Sequence, residues 1–230
     1  MDVDPVIEPH GECALIVRLG DAIDAAVNDR VIAIAESLLG DPLPGQRDVV
    51  TAFASLAVRF DPCALEDSPG GVARFESLLR ARCAAVGPLD RATRLLEIPV
   101  CYDRSVAPDI EAVAAHAGLT VDEVAAIHAA GEYRVFMVGF TPGFPYLGGL
   151  DERLAMPRRA TPRETVPAGS VAIGGSQTGI YPDASPGGWW IIGRTSLRLF
   201  DPAADPPALA TAGDRVRFRA IAPDELARTS

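Results

Sequence analysis

Half of the glycines in this chain fall within about a quarter of its length, and that uneven spacing constrains the fold more than any other feature. Eleven of the 21 glycines lie between Gly139 and Gly193, together with both tryptophans. Between these breakers stand short apolar runs: "SVAI" (170–173), "WWIIG" (189–193), "LRLF" (197–200) and, further on, "RVRFRAI" (215–221). The strand-like "EYRVFMVGF" (132–140) precedes them. Runs this short, separated by glycine and proline turns, point to a closed or nearly closed β-barrel.

The first hundred residues follow a different pattern. "CALIVRL" (13–19) reads as a buried strand. A helix follows, capped by Asp21, with Ile23, Val27, Val31, Ile34 and Leu38 at helical spacing and Gly40 as its stop. "DVVTAF" and "LAVRF" read as two strands turning near Ala54 and Ser55. A second amphipathic helix spans about 69–86, and "RLLEIPV" (94–100) closes the series as a strand. The order β-α-β-β-α-β matches the split βαβ, ferredoxin-like arrangement. The expected division is a loose tail over 1–12, an α+β domain over 13–100 without a catalytic constellation, and a barrel domain over 101–230. The barrel domain includes a helical pair at 107–130, where Thr120 and Glu123 form a capping box. His116 and His128, twelve residues apart, have no metal-ligand spacing and read as surface or packing histidines.

Composition removes several function classes. A chain of 230 residues at net charge -10 has no electrostatic grip on nucleic acid or anionic lipid. No lysine is present, which excludes a P-loop and a lysine Schiff base. Cys13, Cys63, Cys83 and Cys101 form no C-x-x-C pair and read as reduced thiols, so no metal is expected. No apolar stretch approaches the roughly 20 residues that span a bilayer, and a cytoplasmic protein is the expectation.

Three segments combine backbone breakers with groups suited to a ligand: "GFTPGFPYLGG" (139–149), "PRRATPRETVPAGS" (157–170) and "GGSQTGIYPDASPGGWW" (174–190). Phe140, Phe144, Tyr146, Tyr181 and Trp189 offer flat faces. Ser170, Ser176, Gln177 and Thr178 offer neutral hydrogen bonds, while Arg158, Arg159, Arg163 and Arg194 offer planar cationic forks. Rings on stiffened loops suit recognition, although a small barrel also fills its core with such rings. The familiar catalytic signatures are absent: "GGSQTG" has Thr178 where a nucleophile elbow needs glycine. A partial site completed by a partner fits this pattern better than a self-contained one.

The block "EYRVFMVGFTPGFPYLGGLDERLAMPRRATPRETVPAGSVAIGGSQTGIYPDASPGGWWIIGRT" (132–195), with "CYD" (101–103), resembles the KipI-like proteins. That family is also described as allophanate hydrolase subunit 1 and as the B component of the bacterial 5-oxoprolinase. The resemblance implies an N-terminal α+β domain followed by a cyclophilin-like β-barrel. It implies work with a KipA-like C component and a third subunit in the ATP-dependent opening of 5-oxoproline to glutamate, with ATP used by the complex and no cofactor bound by this chain alone. Related domains occur in the carboxyl-transfer portion of urea carboxylase, and another relative inhibits a sporulation histidine kinase; both remain alternatives. Phe140, Tyr146, Arg158, Ser170, Gln177, Thr178 and Tyr181 are expected to bind a small cyclic amide, Arg158 at its carboxylate and Gln177 or Tyr181 at its lactam. Phe144, Pro145 and Trp189 are expected to face a partner, and no residue is given a catalytic step. The family's "NQTGIYP" reads "SQTGIYP" here, with Ser176 in place of asparagine.

Overall fold

The computed structural model describes residues 5–66, 70–87, 89 and 92–229. It divides into two compact units, residues 1–92 and 93–230. An α+β unit is thus followed by a barrel unit.

In the first unit, β1 (Val6–Pro9), β2 (Ala14–Arg18), β3 (Gln46–Thr51) and β4 (Ser55–Phe60) form an antiparallel sheet in the order β1-β2-β4-β3. The helices are α1 (Ala25–Gly40), α2 (Pro62–Glu66) and α3 (Gly71–Ala85). Alternation along β2 and β4 sends Leu15, Val17, Leu56, Val58 and Phe60 to one face, where Val31, Ile34 and Leu38 of α1 and Phe75, Leu79 and Cys83 of α3 close the core.

Four expectations change here. Val6–Pro9 is a strand and not a loose tail, because Ile7 is buried and the segment pairs with β2 from Val6↔Arg18 to Pro9↔Leu15; residues 1–4 lie outside the described residues. The fourth strand of the sheet is therefore β1, whereas β5 (Leu95–Cys101) belongs to the barrel and runs parallel to its last strand. The α+β domain accordingly ends near residue 92, not at 100. The cap of α1 is Asp24, whose Oδ1 accepts from the amides of Ala26 and Val27, so Asp21 and the half-exposed Ile23 precede the helix. Position 69 of the second expected helix also lies outside the described residues.

The second unit continues with α4 (Ile110–Ala117) and α5 (Val121–Ala130), then β6 (Glu132–Val138), β7 (Pro145–Gly148), β8 (Arg163–Val166), β9 (Ser170–Gly174), β10 (Gln177–Ile180), β11 (Ser185–Gly187), β12 (Trp190–Arg194), β13 (Arg215–Ile221) and α6 (Pro223–Thr229). Seven strands close a barrel in the order β10-β7-β6-β13-β5-β12-β9, and β8 with β11 forms a separate two-stranded ribbon. The capping box of Thr120 and Glu123 is present at α5. "LRLF" (197–200) is not a strand of the barrel; it contributes a single bridge from Phe200 to Ala208. Parts of all three breaker-rich segments are strands (β7, β8, β10 and β11), since their glycines stand inside ladders as well as in turns.

Strand alternation sorts this unit into two apolar layers. Ile98, Val100, Val135, Leu147, Val171, Ile173, Ile180, Ile192, Val216 and Phe218 belong to the barrel core. Their neighbours Tyr146, Ala172 and Ile191 point the other way and join Phe144, Val166, Tyr181 and Trp189 in a second cluster on the outer wall.

Candidate functional site

The outer-wall cluster carries a cleft of about 320 Å³ lined by Phe140, Phe144, Tyr146, Arg158, Arg159, Pro162, Tyr181, Pro186, Gly187, Gly188 and Trp189. That volume suits a small molecule. Its floor is a set of packed rings: the Phe144 centroid lies 4.8 Å from Tyr146 in a tilted pair, and 5.1 Å from Tyr181 and 5.6 Å from Trp189 edge to face. The ribbon β8–β11 and the segment before it form one side.

The chain positions these rings through its turns. "TPGF" is a type II turn: the Phe144 amide donates to Thr141 O at 3.1 Å, and Gly143 takes φ 84° at the position that needs a left-handed residue. Just before it, the Thr141 amide donates to Gly139 O at 2.9 Å around Phe140, whose φ is 69°. That is a γ-turn of the strained hand, and Phe140 is the one non-glycine residue at positive φ among the described residues. The strain holds its ring 60% exposed at the mouth of the cleft, 5.7 Å from Phe144.

Arg158 supplies the charge. Its Cζ lies 5.8 Å from the Trp189 ring centroid, within cation–π range, and no carboxylate pairs with it among the described residues. The cleft lining contains no acidic residue. Burial raises the Tyr146 and Tyr181 phenols, and the Arg158 guanidinium opposes this at both. At Tyr181 the Trp189 backbone N–H directed at the phenol oxygen and the nearby Arg163 charge oppose it as well. The cleft thus brings together an unpaired cation, two neutral phenols and flat apolar walls, a set that matches a small anion with a planar polar ring.

Of the residues expected to bind a ligand, Phe140, Tyr146, Arg158 and Tyr181 line this cleft, and Ser170, Gln177 and Thr178 do not. Thr178 shares the phase of Ile180 and points into the barrel, where its Oγ1 donates to Ala172 O at 3.0 Å and meets His128 Nε2 at 2.9 Å. Gln177 is 8% exposed with Nε2 unpartnered, and Ser170 is 2% exposed, its carbonyl accepting the Tyr181 amide at 2.9 Å. Of the residues expected to face a partner, Phe144, Pro145 and Trp189 are all buried, and Phe144 and Trp189 wall the cleft instead. Sequence reasoning missed Asp109, which is buried behind the site and pairs with Arg159 and Arg163. It also gave no role to Pro162, Pro186, Gly187 and Gly188; the breaker-rich "SPGG" before Trp189 was the available signal. Among the described residues no group of His, Cys, Asp and Glu can hold a metal ion, and no helix is long and apolar enough to cross a membrane.

Residues 5–210 match the family described as carboxyltransferase domain, subdomain C and D. Proteins named as the B component of 5-oxoprolinase from Bacillus subtilis and Haemophilus influenzae are 44% and 46% identical, covering 95% and 92% of this chain and 93% and 96% of theirs. The chain belongs to the 5-oxoprolinase B family. The counterpart of the same name from Escherichia coli O157:H7 is 42% identical over 90% of the chain and 92% of its own. Among solved structures, TTHA0988 superposes with a TM-score of 0.79 at 40% identity, covering 91% of this chain and 40% of its own longer one. Kluyveromyces lactis urea carboxylase shares the fold alone, with a TM-score of 0.77 at 20% identity over 97% of this chain and 22% of that one. The block carrying the rings and Arg158 lies wholly inside the range matched by the carboxyltransferase-domain family.

Proposed function

We propose that this chain is a subunit of a heteromeric, ATP-dependent 5-oxoprolinase that opens 5-oxoproline to glutamate, working with a KipA-like C component and a third subunit. The observation that carries the reading is the cleft in which Arg158, free of any paired carboxylate among the described residues, faces Tyr146 and Tyr181 inside an aromatic box. 5-Oxoproline is a flat lactam with one carboxylate. Arg158 pairs with the carboxylate, Tyr181 donates to the lactam oxygen, and the rings of Phe144 and Trp189 cover the carbon face. Gln177, the other candidate for the lactam, is set aside because it does not line the cleft.

The chain has no group in the cleft with the features of a nucleophile and base pair, so activation of the lactam belongs to the assembled complex, which uses ATP. This chain contributes substrate binding, holds no cofactor of its own, has neither nucleic acid nor membrane among its partners, and works in the cytoplasm. The burial of Phe144, Pro145 and Trp189 weighs against the rival reading, a groove that grips a histidine-kinase helix. Reconstitution tests the proposal: 5-oxoproline-dependent ATP hydrolysis is measured with the companion subunits, with and without this chain. Activity is expected only with it, and activity unchanged by its omission rules the reading out.

A further inference from the structure

A buried carboxylate behind the cleft organises the backbone around one of its two phenols. Asp109 is 4% exposed and directly precedes α4, yet its side chain makes no capping bond to that helix. Its Oδ2 accepts the Ile191 amide at 2.7 Å, while its Oδ1 accepts Arg159 Nη1 at 3.1 Å and Arg163 Nη2 at 2.7 Å. One anion therefore ties the start of α4, strand β12 and the segment 159–163 together.

The last of these segments pairs with the strand that underlies the Tyr181 hydroxyl. Arg163 stands opposite Gly187 in the β8–β11 ribbon, and a Cβ on Gly187 would collide with Tyr181 Oη, so the phenol rests on that glycine. The Arg159 amide holds Gly188 O at 2.8 Å. Arg163 keeps Nη1 buried without an acceptor, the kind of unmatched donor that native proteins retain at functional positions.

We propose that Asp109, acting through Arg163, is a positioning residue for the Tyr181 phenol, holding its O–H toward the ring carbonyl of a bound lactam. This rests on the reading of the cleft as a site for a cyclic amide carboxylate. It assigns the two arginine systems different tasks: Arg158 holds the ligand's charge, and the Asp109 clasp holds the group that recognises its amide.

Titration calorimetry on the full chain with three probes separates the possibilities: 5-oxoproline, 2-pyrrolidinone (lactam without carboxylate) and cyclopentanecarboxylate (carboxylate without lactam). Asp109→Asn keeps the shape and the acceptor for the Ile191 amide but removes the charge that holds Arg163. It is expected to weaken 5-oxoproline and 2-pyrrolidinone by about three- to tenfold, the worth of one neutral hydrogen bond, and to leave cyclopentanecarboxylate unchanged. Arg163→Gln should behave alike, and adding either change to Tyr181→Phe should bring no further loss. Arg158→Gln should give the opposite pattern, about tenfold weaker cyclopentanecarboxylate and unaltered 2-pyrrolidinone. Should Asp109→Asn fail to fold, judged by tryptophan fluorescence, Arg163→Gln carries the comparison. Equal weakening of both half-ligands, or no loss for 2-pyrrolidinone, overturns the inference alone. A wild-type chain that binds none of the three overturns the cleft assignment and the inference with it.

Discussion

The barrel core contains a histidine that should make the protein acid-labile in a defined pH window. His128 is fully buried and stacks on Phe218 with ring centroids 4.5 Å apart. Its bonding fixes its tautomer. Thr178 spends its one hydrogen on Ala172 O, so its Oγ1 accepts from His128 Nε2–H, and Nδ1 is left to accept from Tyr102 Oη at 2.7 Å. A second ring proton at Nδ1 would displace the hydrogen that Tyr102 donates there, and burial pushes the imidazole down to about 3. An unfolded imidazole titrates near 6.5. Between those values the unfolded chain binds a proton that the folded chain refuses, so stability is complete above about pH 6.5 and falls as pH drops toward 3. The slope approaches ~1.4 kcal/mol per pH unit, and the loss at pH 5 relative to pH 8 is about 2 kcal/mol. Urea unfolding at pH 8, 6 and 5 measures it, and because both tryptophans lie in the barrel unit their fluorescence reports that unit. His128→Gln keeps a donor and an acceptor but cannot titrate. It should be about 1–2 kcal/mol less stable than the wild type at pH 8, and the drop of about 2 kcal/mol at pH 5 should vanish. A wild-type stability that is flat from pH 8 to 5, or an equal drop in His128→Gln, would refute the buried-imidazole account.

Two further perturbations probe the turn that carries the exposed ring. Phe140→Gly relieves a left-handed φ worth about 1–2 kcal/mol, partly offset by the freer unfolded chain. The unfolding free energy measured in urea should therefore stay level or rise by up to about 1 kcal/mol, while calorimetric affinity for 5-oxoproline falls; a clear loss of stability would show that the ring packs in ways its 60% exposure denies. Gly143→Ala places a Cβ at φ 84° and 2.7 Å from the Phe200 Cβ, and should destabilise the barrel unit by roughly 2–3 kcal/mol in the same urea assay. An unchanged midpoint there would mean that the turn relaxes at no cost.

Much of the architecture was legible in the sequence, and the misses have physical causes. Glycine-punctuated apolar runs sufficed for the barrel because its strands must be short and must turn tightly. β1 was hidden because Val6–Pro9 buries only Ile7 and carries a glutamate and a proline, too little alternation to register as a strand. "RLLEIPV" has a strand's composition, but which sheet it joins depends on a partner strand more than a hundred residues later. Thr178 looked like a ligand group because it sits in a polar, glycine-rich stretch, whereas the phase of β10 sends it inward to His128. Asp109 left no local signal: an aspartate before a helix reads as a cap, and its true partners, Arg159, Arg163 and Ile191, are 50 or more residues away. That Arg158 and the rings share one cleft was legible because they are packed into one short, turn-rich block of the sequence.

The glycines of this block serve the rings more than they serve a partner's approach. A Cβ at Gly174 would lie 2.6 Å from the Trp189 indole, and one at Gly187 would strike the Tyr181 hydroxyl. Each of these aromatic walls of the cleft is seated over a glycine, in the place a side chain would otherwise take. This explains how large apolar groups stay ordered on an outer barrel wall: the glycine lowers the floor beneath the ring and buries it without a second layer of core. It also explains why the cleft is apolar and shaped by its own backbone, the condition under which a guanidinium without a carboxylate partner among the described residues can discriminate among small anions. The proposed ligand fits that geometry: flat enough to lie against the rings, anionic at the end assigned to Arg158, and able to accept a hydrogen bond at the end assigned to Tyr181.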